Sequence, residues 1–289
     1  MLTIDSFGII GGDKRQIAMA ESISLDGYNV SVAGFEKINF YNGISQVTVN
    51  ETIMNSKYII LPLPAIKGDK LLNAPYSNKE IILDDNFAEM LMDKMVFCGM
   101  KSKLYSVSDV WNLVDLYDYS TREDFAIRNA IPTSEGAIEI AMREYSGTIN
   151  GSKCLVAGFG RIGKALSKML VGIGADLTVS ARSQKDLAYI ETLGYKYIKT
   201  ENISATNGYD IIFNTIPELI FDAHTLALCA QNSLVIDLAS APGGVDLEAS
   251  ARLGIKSIQA LSLPGKVAPK KAGEIIKRTI YNIIEEEEG

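Results

Sequence analysis

The sequence predicts an α/β protein of two doubly wound domains, each a parallel sheet with helices on both faces. Three observations predict it. Apolar runs short enough for buried strands alternate with stretches of helical period along the chain. A strand–glycine–helix signal occurs twice, at Phe7–Gln16 and at Lys153–Leu170. Between the halves lies a long stretch with Ile138, Ala141, Met142 and Tyr145 at helical spacing. The chain has 289 residues, 47% of them apolar, enough for two cores of ordinary size. The expected division is 1–130 and 131–289, both Rossmann-like, with a cleft between them and a last helix that could pack back on the first half.

In the first half, Phe7–Ile10 reads as a strand, but Gly8, Gly11 and Gly12 do not have dinucleotide spacing. Ile17, Ala20 and Ile23 continue as a helix, and Tyr28–Ala33 as a second strand. A third apolar run from Lys57 stops at Pro62 and Pro64, which cannot continue a central ladder. Lys79–Leu83 and Lys94–Cys98 read as short strands around a helix near Phe87–Met92, and Leu113–Tyr117 is a further candidate. This half is expected to carry substrate or partner contacts rather than a dinucleotide. Pro132, Thr133 and Ser134 then supply helix-start chemistry for the connecting helix.

The second half opens on the stretch that organises the chain. A strand from Lys153 runs into Gly158, Gly160 and Gly163 at G-x-G-x-x-G spacing, followed by a helix with Ile162, Leu166, Met169 and Leu170 on one face. Gly158 permits the tight turn, Gly160 lets a pyrophosphate approach the backbone, and Gly163 lets the helix pack close to the sheet. The first N–H groups of that helix, at Arg161, Ile162 and Gly163, would meet the phosphates. The next strand, Asp176–Ser180, delivers Ala181, Arg182 and Ser183 to the ribose-reading position. A carboxylate there would bond a ribose 2′-hydroxyl; an arginine suits a 2′-phosphate. The expected cofactor is therefore NADP.

Further strands are expected at Tyr209–Asn214, Ser233–Asp237 and Ile255–Ala260, and a last helix at about 268–285. Ligands of open parallel sheets bind beyond the carboxyl ends of the strands. That places the Asn214, Thr215, Ile216, Pro217 loop and Ala239 and Ser240 beside the nicotinamide and its ribose. Pro242, Gly243 and Gly244 follow, with turn chemistry alone an equal reading. A third loop, 264–271, carries Lys266, Lys270 and Lys271 at the start of the last helix. The helix dipole disfavours cations there, which suggests an anionic partner.

Composition narrows the chemistry. Net charge is −7, which argues against nucleic acid and gives no basic membrane patch. No segment reads as a membrane span or a leader, so a soluble cytoplasmic protein is expected. Three scattered cysteines suit a reducing compartment, and none pairs at metal-ligand spacing. The single histidine, His224, gives little material for a metal site or a serine–histidine triad.

The segments Gly11-Gly12-Asp13-x-Arg15-Gln16, Ile131-Pro-Thr133-x-Glu135-Gly136, Gly158–Gly163, Ala181-Arg182-Ser183, Asn214-Thr-Ile-Pro217, Asp237–Gly244 and Leu263-Pro-Gly-x-Val-Ala-Pro-Lys270 occur together and in this order. In that combination, nearly end to end, the chain resembles the A subunits of bacterial dipicolinate synthases. The resemblance implies an oxidoreductase of the sporulating mother cell that works with a flavoprotein-like B subunit. It implies oxidation of a hydroxylated tetrahydrodipicolinate, or its dehydrated form, to pyridine-2,6-dicarboxylate. Aromatisation is favourable, so the protein need only place the ring and remove a proton. Arg15, Lys270 and helix starts near Thr133 and Gly243 are the candidates for the dicarboxylate, with Ser134 beside them. Glu135 is either the proton acceptor or a first-turn acid favoured by the helix dipole. Two rivals remain: an NADP-dependent 2-hydroxyacid-type dehydrogenase, and a non-catalytic NADP-binding subunit. A homo-oligomer stays open.

Overall fold

The computed structural model describes residues 5–41, 43–205 and 208–289. The chain forms two compact units. One runs to Arg128 and takes in Ala268–Gly289; the other is Asn129–Val267.

In the first unit the strands are β1 (Ser6–Ile10), β2 (Asn29–Ala33), β3 (Ile44–Gln46), β4 (Tyr58–Ile60), the small pair β5 (Ile66–Lys67) and β6 (Leu71–Leu72), β7 (Met95–Cys98) and β8 (Asp115–Asp118). Six of them form a parallel sheet in the order β3-β2-β1-β4-β7-β8. This is the doubly wound order, which reverses direction beside β1. Alternate side chains feed two cores. Phe7 and Ile9 join one with Met19 and Ile23; Ile10, Ile59 and Val96 join the other with Trp111. The last helix, Pro269–Glu288, closes the first of these with Ile275, Ile276, Ile280 and Ile283. It lies close on the Lys14–Leu25 helix because Gly273 has no side chain; an added Cβ would sit 2.5 Å from the Arg15 carbonyl oxygen. Its far end is pinned by Arg122, whose two terminal nitrogens grip the Glu286 carboxylate, which holds that carboxyl below its usual range.

The second unit repeats the plan. Its strands are β9 (Lys153–Ala157), β10 (Asp176–Ala181), β11 (Lys196–Lys199), β12 (Ile211–Asn214), β13 (Leu234–Asp237) and β14 (Lys256–Gln259), in the order β11-β10-β9-β12-β13-β14, all parallel. Cys154 and Val156 face a core with Leu166 and Leu170, whereas Leu155 and Ala157 face one with Phe221 and Val235. Strands this apolar are what a sheet covered on both sides requires.

Three sequence expectations need correction. The connecting helix is Glu123–Glu144, so it starts ten residues before Thr133, and Pro132 lies inside it. Glu123 and Asp124 supply the first-turn acids that the dipole favours. Lys79–Leu83 is not a strand; Ile82 makes one isolated bridge to Leu71. Residues 264–271 are not an open loop, because a short helix Leu263–Val267 precedes the last one. Short edge strands at Ile44–Gln46 and Lys196–Lys199 were not foreseen, because their polar side chains give no apolar run.

Candidate functional site

The carboxyl edge of the second sheet gathers the groups with chemistry. β9 ends at Ala157, and Gly158 turns the chain at φ +98°, a conformation that L side chains rarely adopt. An added Cβ there would lie 2.5 Å from Thr215 Oγ1. Gly163 sits in the first turn of the Arg161–Ile173 helix, where a Cβ would overlap the Gly158 carbonyl oxygen. Gly160 differs from both. It is exposed, is the N-cap of that helix with no side-chain cap, and an added Cβ would meet nothing within 4 Å. One glycine makes the turn, one sets the helix against the strand, and one faces open space in front of the helix start. That division of labour is what a pyrophosphate-binding turn needs, and the residues present fit a dinucleotide.

The two loops beyond β12 and β13 are fixed by a buried polar cluster. Asn214 and Asp237 stand opposite each other in the sheet register, 0% and 1% exposed. Asn214 Nδ2 donates to Asp237 Oδ1 (2.8 Å) and to the Ile216 carbonyl (3.0 Å), and its Oδ1 accepts from the Ile216 N–H (3.1 Å). Asp237 also accepts from the Ala239 N–H (3.2 Å) and the Gly244 N–H (3.0 Å). Thr215 is tied to β9 through its N–H and hydroxyl, both donated to the Ala157 carbonyl. The side chains of Asn214 and Thr215 are thus committed to shaping the loop. Ile216, Ala239, Gly243 and Gly244 are buried, while Pro217, Ser240 and Pro242 are exposed. Gly243 is not at a helix start: the next helix is Leu247–Leu253, capped by Asp246. The signal for this cluster was visible as two polar residues ending apolar strands; the part played by Asp237 went unread.

At the end of β10, Ala181 is buried and Arg182 exposed. Ser183 caps the Gln184–Thr192 helix, accepting from the Asp186 N–H and donating to the Asp186 carboxylate (2.7 Å). Arg182 Nη1 donates to Glu218, on the loop after β12, at 3.2 and 3.3 Å. Sequence reasoning missed Glu218, since nothing local to Arg182 announces an acid from another strand.

The remaining candidates fall in both units. Arg15 and Lys270 belong to the first unit, Thr133, Ser134 and Glu135 to the second. Arg15 is 9% exposed and forks onto Asp13 through Nε and Nη2 (2.9 Å each). Lys270 and Lys271 are exposed in the first turn of the last helix, which has neither an acid there nor a side-chain cap. Thr133 and Ser134 donate their hydroxyls to the Asn129 and Ala130 carbonyls within their own helix, and Ser134 is fully buried. No helix start exists at Thr133 to bind an anion, and Glu135 is an exposed mid-helix acid rather than a first-turn one. Among the described residues no three His, Cys, Asp or Glu side chains gather as a metal site, and no helix is long and apolar enough to cross a membrane. Burial pushes the Cys154 thiol up to about 12, which keeps it protonated and unreactive.

Comparison with known proteins agrees with this geometry. Residues 6–110 match the family model of the N-terminal domain of the dipicolinate synthase A subunit. Residues 127–249 match that of the D-isomer specific 2-hydroxyacid dehydrogenase NAD binding domain. The dipicolinate synthase A subunit of Bacillus subtilis (strain 168) is 32% identical over 99% of this chain and 98% of its own length. The crystal structure of the Bacillus halodurans A subunit superposes with a TM-score of 0.88 at 30% identity, covering 98% of this chain and 99% of that one. The crystal structure of the Bacillus subtilis A subunit gives 0.87 at 31%, covering 99% and 97%. The second unit is the nicotinamide dinucleotide-binding domain of an oxidoreductase. From the first strand to the last helix, the chain belongs to the family of dipicolinate synthase A subunits.

Proposed function

We propose that the chain is the NADP-dependent subunit that forms pyridine-2,6-dicarboxylate, oxidising a dihydrodipicolinate or its hydroxylated tetrahydro precursor in the mother cell of a sporulating bacterium. A flavoprotein-like B subunit is the expected partner. The observation that carries the reading is the pairing of the Gly158–Gly163 turn with Arg182 where an NAD site would have an acid. The cofactor, when bound, accepts a hydride. The substrate loses that hydride and one proton, and the hydroxylated form first loses water, leaving an aromatic ring.

The residues have separable tasks. The N–H groups at the start of the Arg161–Ile173 helix hold pyrophosphate. The Asn214–Asp237 cluster fixes the loops that flank the reactive ring. Lys270 supplies charge for a substrate carboxylate. Arg15 is a weaker candidate for that task, because Asp13 already offsets its charge. Glu135 is the candidate to take the proton. A 2-hydroxyacid dehydrogenase reading would want a histidine beside the reacting carbon. His224 is instead exposed on the short Ala223–Ala227 helix, next to the Asp222 cap.

The test is to supply the lysine-pathway dihydrodipicolinate precursor with NADP+, with and without the B subunit, and to follow the ultraviolet absorbance of the pyridine product. No product under either condition contradicts the reading. Lys270→Ala should raise KM for the dicarboxylate about tenfold with kcat little changed, the behaviour of a lost charge-assisted contact. An unchanged KM returns Lys270 to the solvated surface.

A further inference from the structure

The acid absent from the end of β10 is supplied by the loop that follows β12. Glu218 stands 36 positions beyond Arg182, and its two carboxylate oxygens take Arg182 Nη1 at 3.2 and 3.3 Å. In the sheet, β9 lies between β10 and β12. Arg182 follows one of these neighbours and Glu218 the other, so their ion pair bridges the carboxyl end of β9, where the glycine turn begins.

Glu218 is not on a loose loop. The Ile216 N–H is held by Asn214, and the Ile220 and Phe221 N–H groups donate to the Gly244 carbonyl at 3.1 and 2.9 Å. The Glu218 carbonyl lies so close to Gly244 that an added Cβ there would be 2.8 Å away. The buried cluster that shapes this loop therefore also fixes the backbone from which the Glu218 side chain extends.

We infer that Glu218 is a specificity-determining residue, which competes with a ribose 2′-phosphate for Arg182 and so restrains the preference for NADP over NAD. The inference rests on the NADP reading above. Both side chains are largely exposed, 71% and 60%, so the pair is weak and easily displaced. The phosphate, carrying about −1.5 to −2 charges at pH 7, must nevertheless part Arg182 from Glu218 and then lie beside the freed carboxylate. An unphosphorylated ribose has neither task. Exchange of Glu218 for a neutral isostere should therefore favour the phosphorylated cofactor alone, and salt should mask the effect.

The experiment titrates the full chain with NADPH and with NADH, following cofactor fluorescence, in the unaltered protein, Glu218→Gln, Arg182→Gln and the double variant. At low ionic strength Glu218→Gln should tighten NADPH about fivefold and change NADH by less than about twofold. The gain should shrink in about 0.5 M salt and be smaller in the Arg182→Gln background. Equal effects on the two cofactors, or none, would overturn the inference. If Arg182→Gln weakens NADPH selectively while Glu218→Gln does nothing, the NADP reading stands and Glu218 has no part in it. If Arg182→Gln leaves NADPH binding unchanged, the NADP reading falls and this inference with it.

Discussion

Asp237→Ala is expected to destabilise the second unit by about 4 kcal/mol and to remove dinucleotide binding with it. The carboxylate accepts from Asn214 Nδ2, the Ala239 N–H and the Gly244 N–H, all within a site that water does not reach. Alanine leaves those donors in place and removes their acceptor, and each orphaned buried donor costs about 1–3 kcal/mol. The three partners are all donors, two on Oδ1 and one on Oδ2, so an asparagine must turn its own NH2 toward at least one of them whichever way it is flipped. Asp237→Asn should accordingly lose about half as much stability as the alanine. Urea denaturation followed by far-ultraviolet circular dichroism checks both variants. Tryptophan fluorescence would miss the change, because Trp111 belongs to the first unit. A midpoint unchanged in Asp237→Ala would show that the cluster does not hold the loops.

Gly163→Ala should lose about 3 kcal/mol, a cost at the upper end for overpacking. The obstacle is the Gly158 carbonyl oxygen, which is backbone and cannot rotate away as a side-chain tip could. The helix must move off the strand, and its first N–H groups move with it. The variant should therefore bind a dinucleotide poorly even at temperatures where it is folded. Thermal melts with and without cofactor separate these effects: the melting temperature should drop, and the upward shift on adding cofactor should vanish. A variant that melts normally and still responds to cofactor would refute the close packing.

What was legible in the sequence follows from the range of the interactions. The glycine turn could be read because part of what it requires is local: Gly158 takes a positive φ, and Gly163 packs against the Gly158 carbonyl oxygen five residues back. The parallel strands could be read because burial on both faces demands continuous apolar runs. The start of the Glu123–Glu144 helix was misplaced because Pro-Thr-Ser is a strong local start signal. Here it is overridden by tertiary packing, and Thr133 and Ser134 turn their hydroxyls back onto the helix. The acids Glu123 and Asp124 were the signal that could have corrected it. Glu218 was out of reach for a different reason. Its meeting with Arg182 depends on the order of β10, β9 and β12, which no local pattern encodes.

The central claim, that a nicotinamide dinucleotide crosses the Gly158–Gly163 turn, is tested most directly at Gly160. Its backbone is extended, with φ −79°, and an added Cβ meets no protein atom within 4 Å. Gly160→Val should leave the urea midpoint within the equivalent of about 0.5 kcal/mol, while the branched side chain occupies the ground of the pyrophosphate. Calorimetric titration of this variant with NADP+ should show affinity reduced by on the order of a hundredfold or more. A stably folded Gly160→Val protein that binds NADP+ as tightly as the unaltered chain would place the cofactor elsewhere and contradict the account.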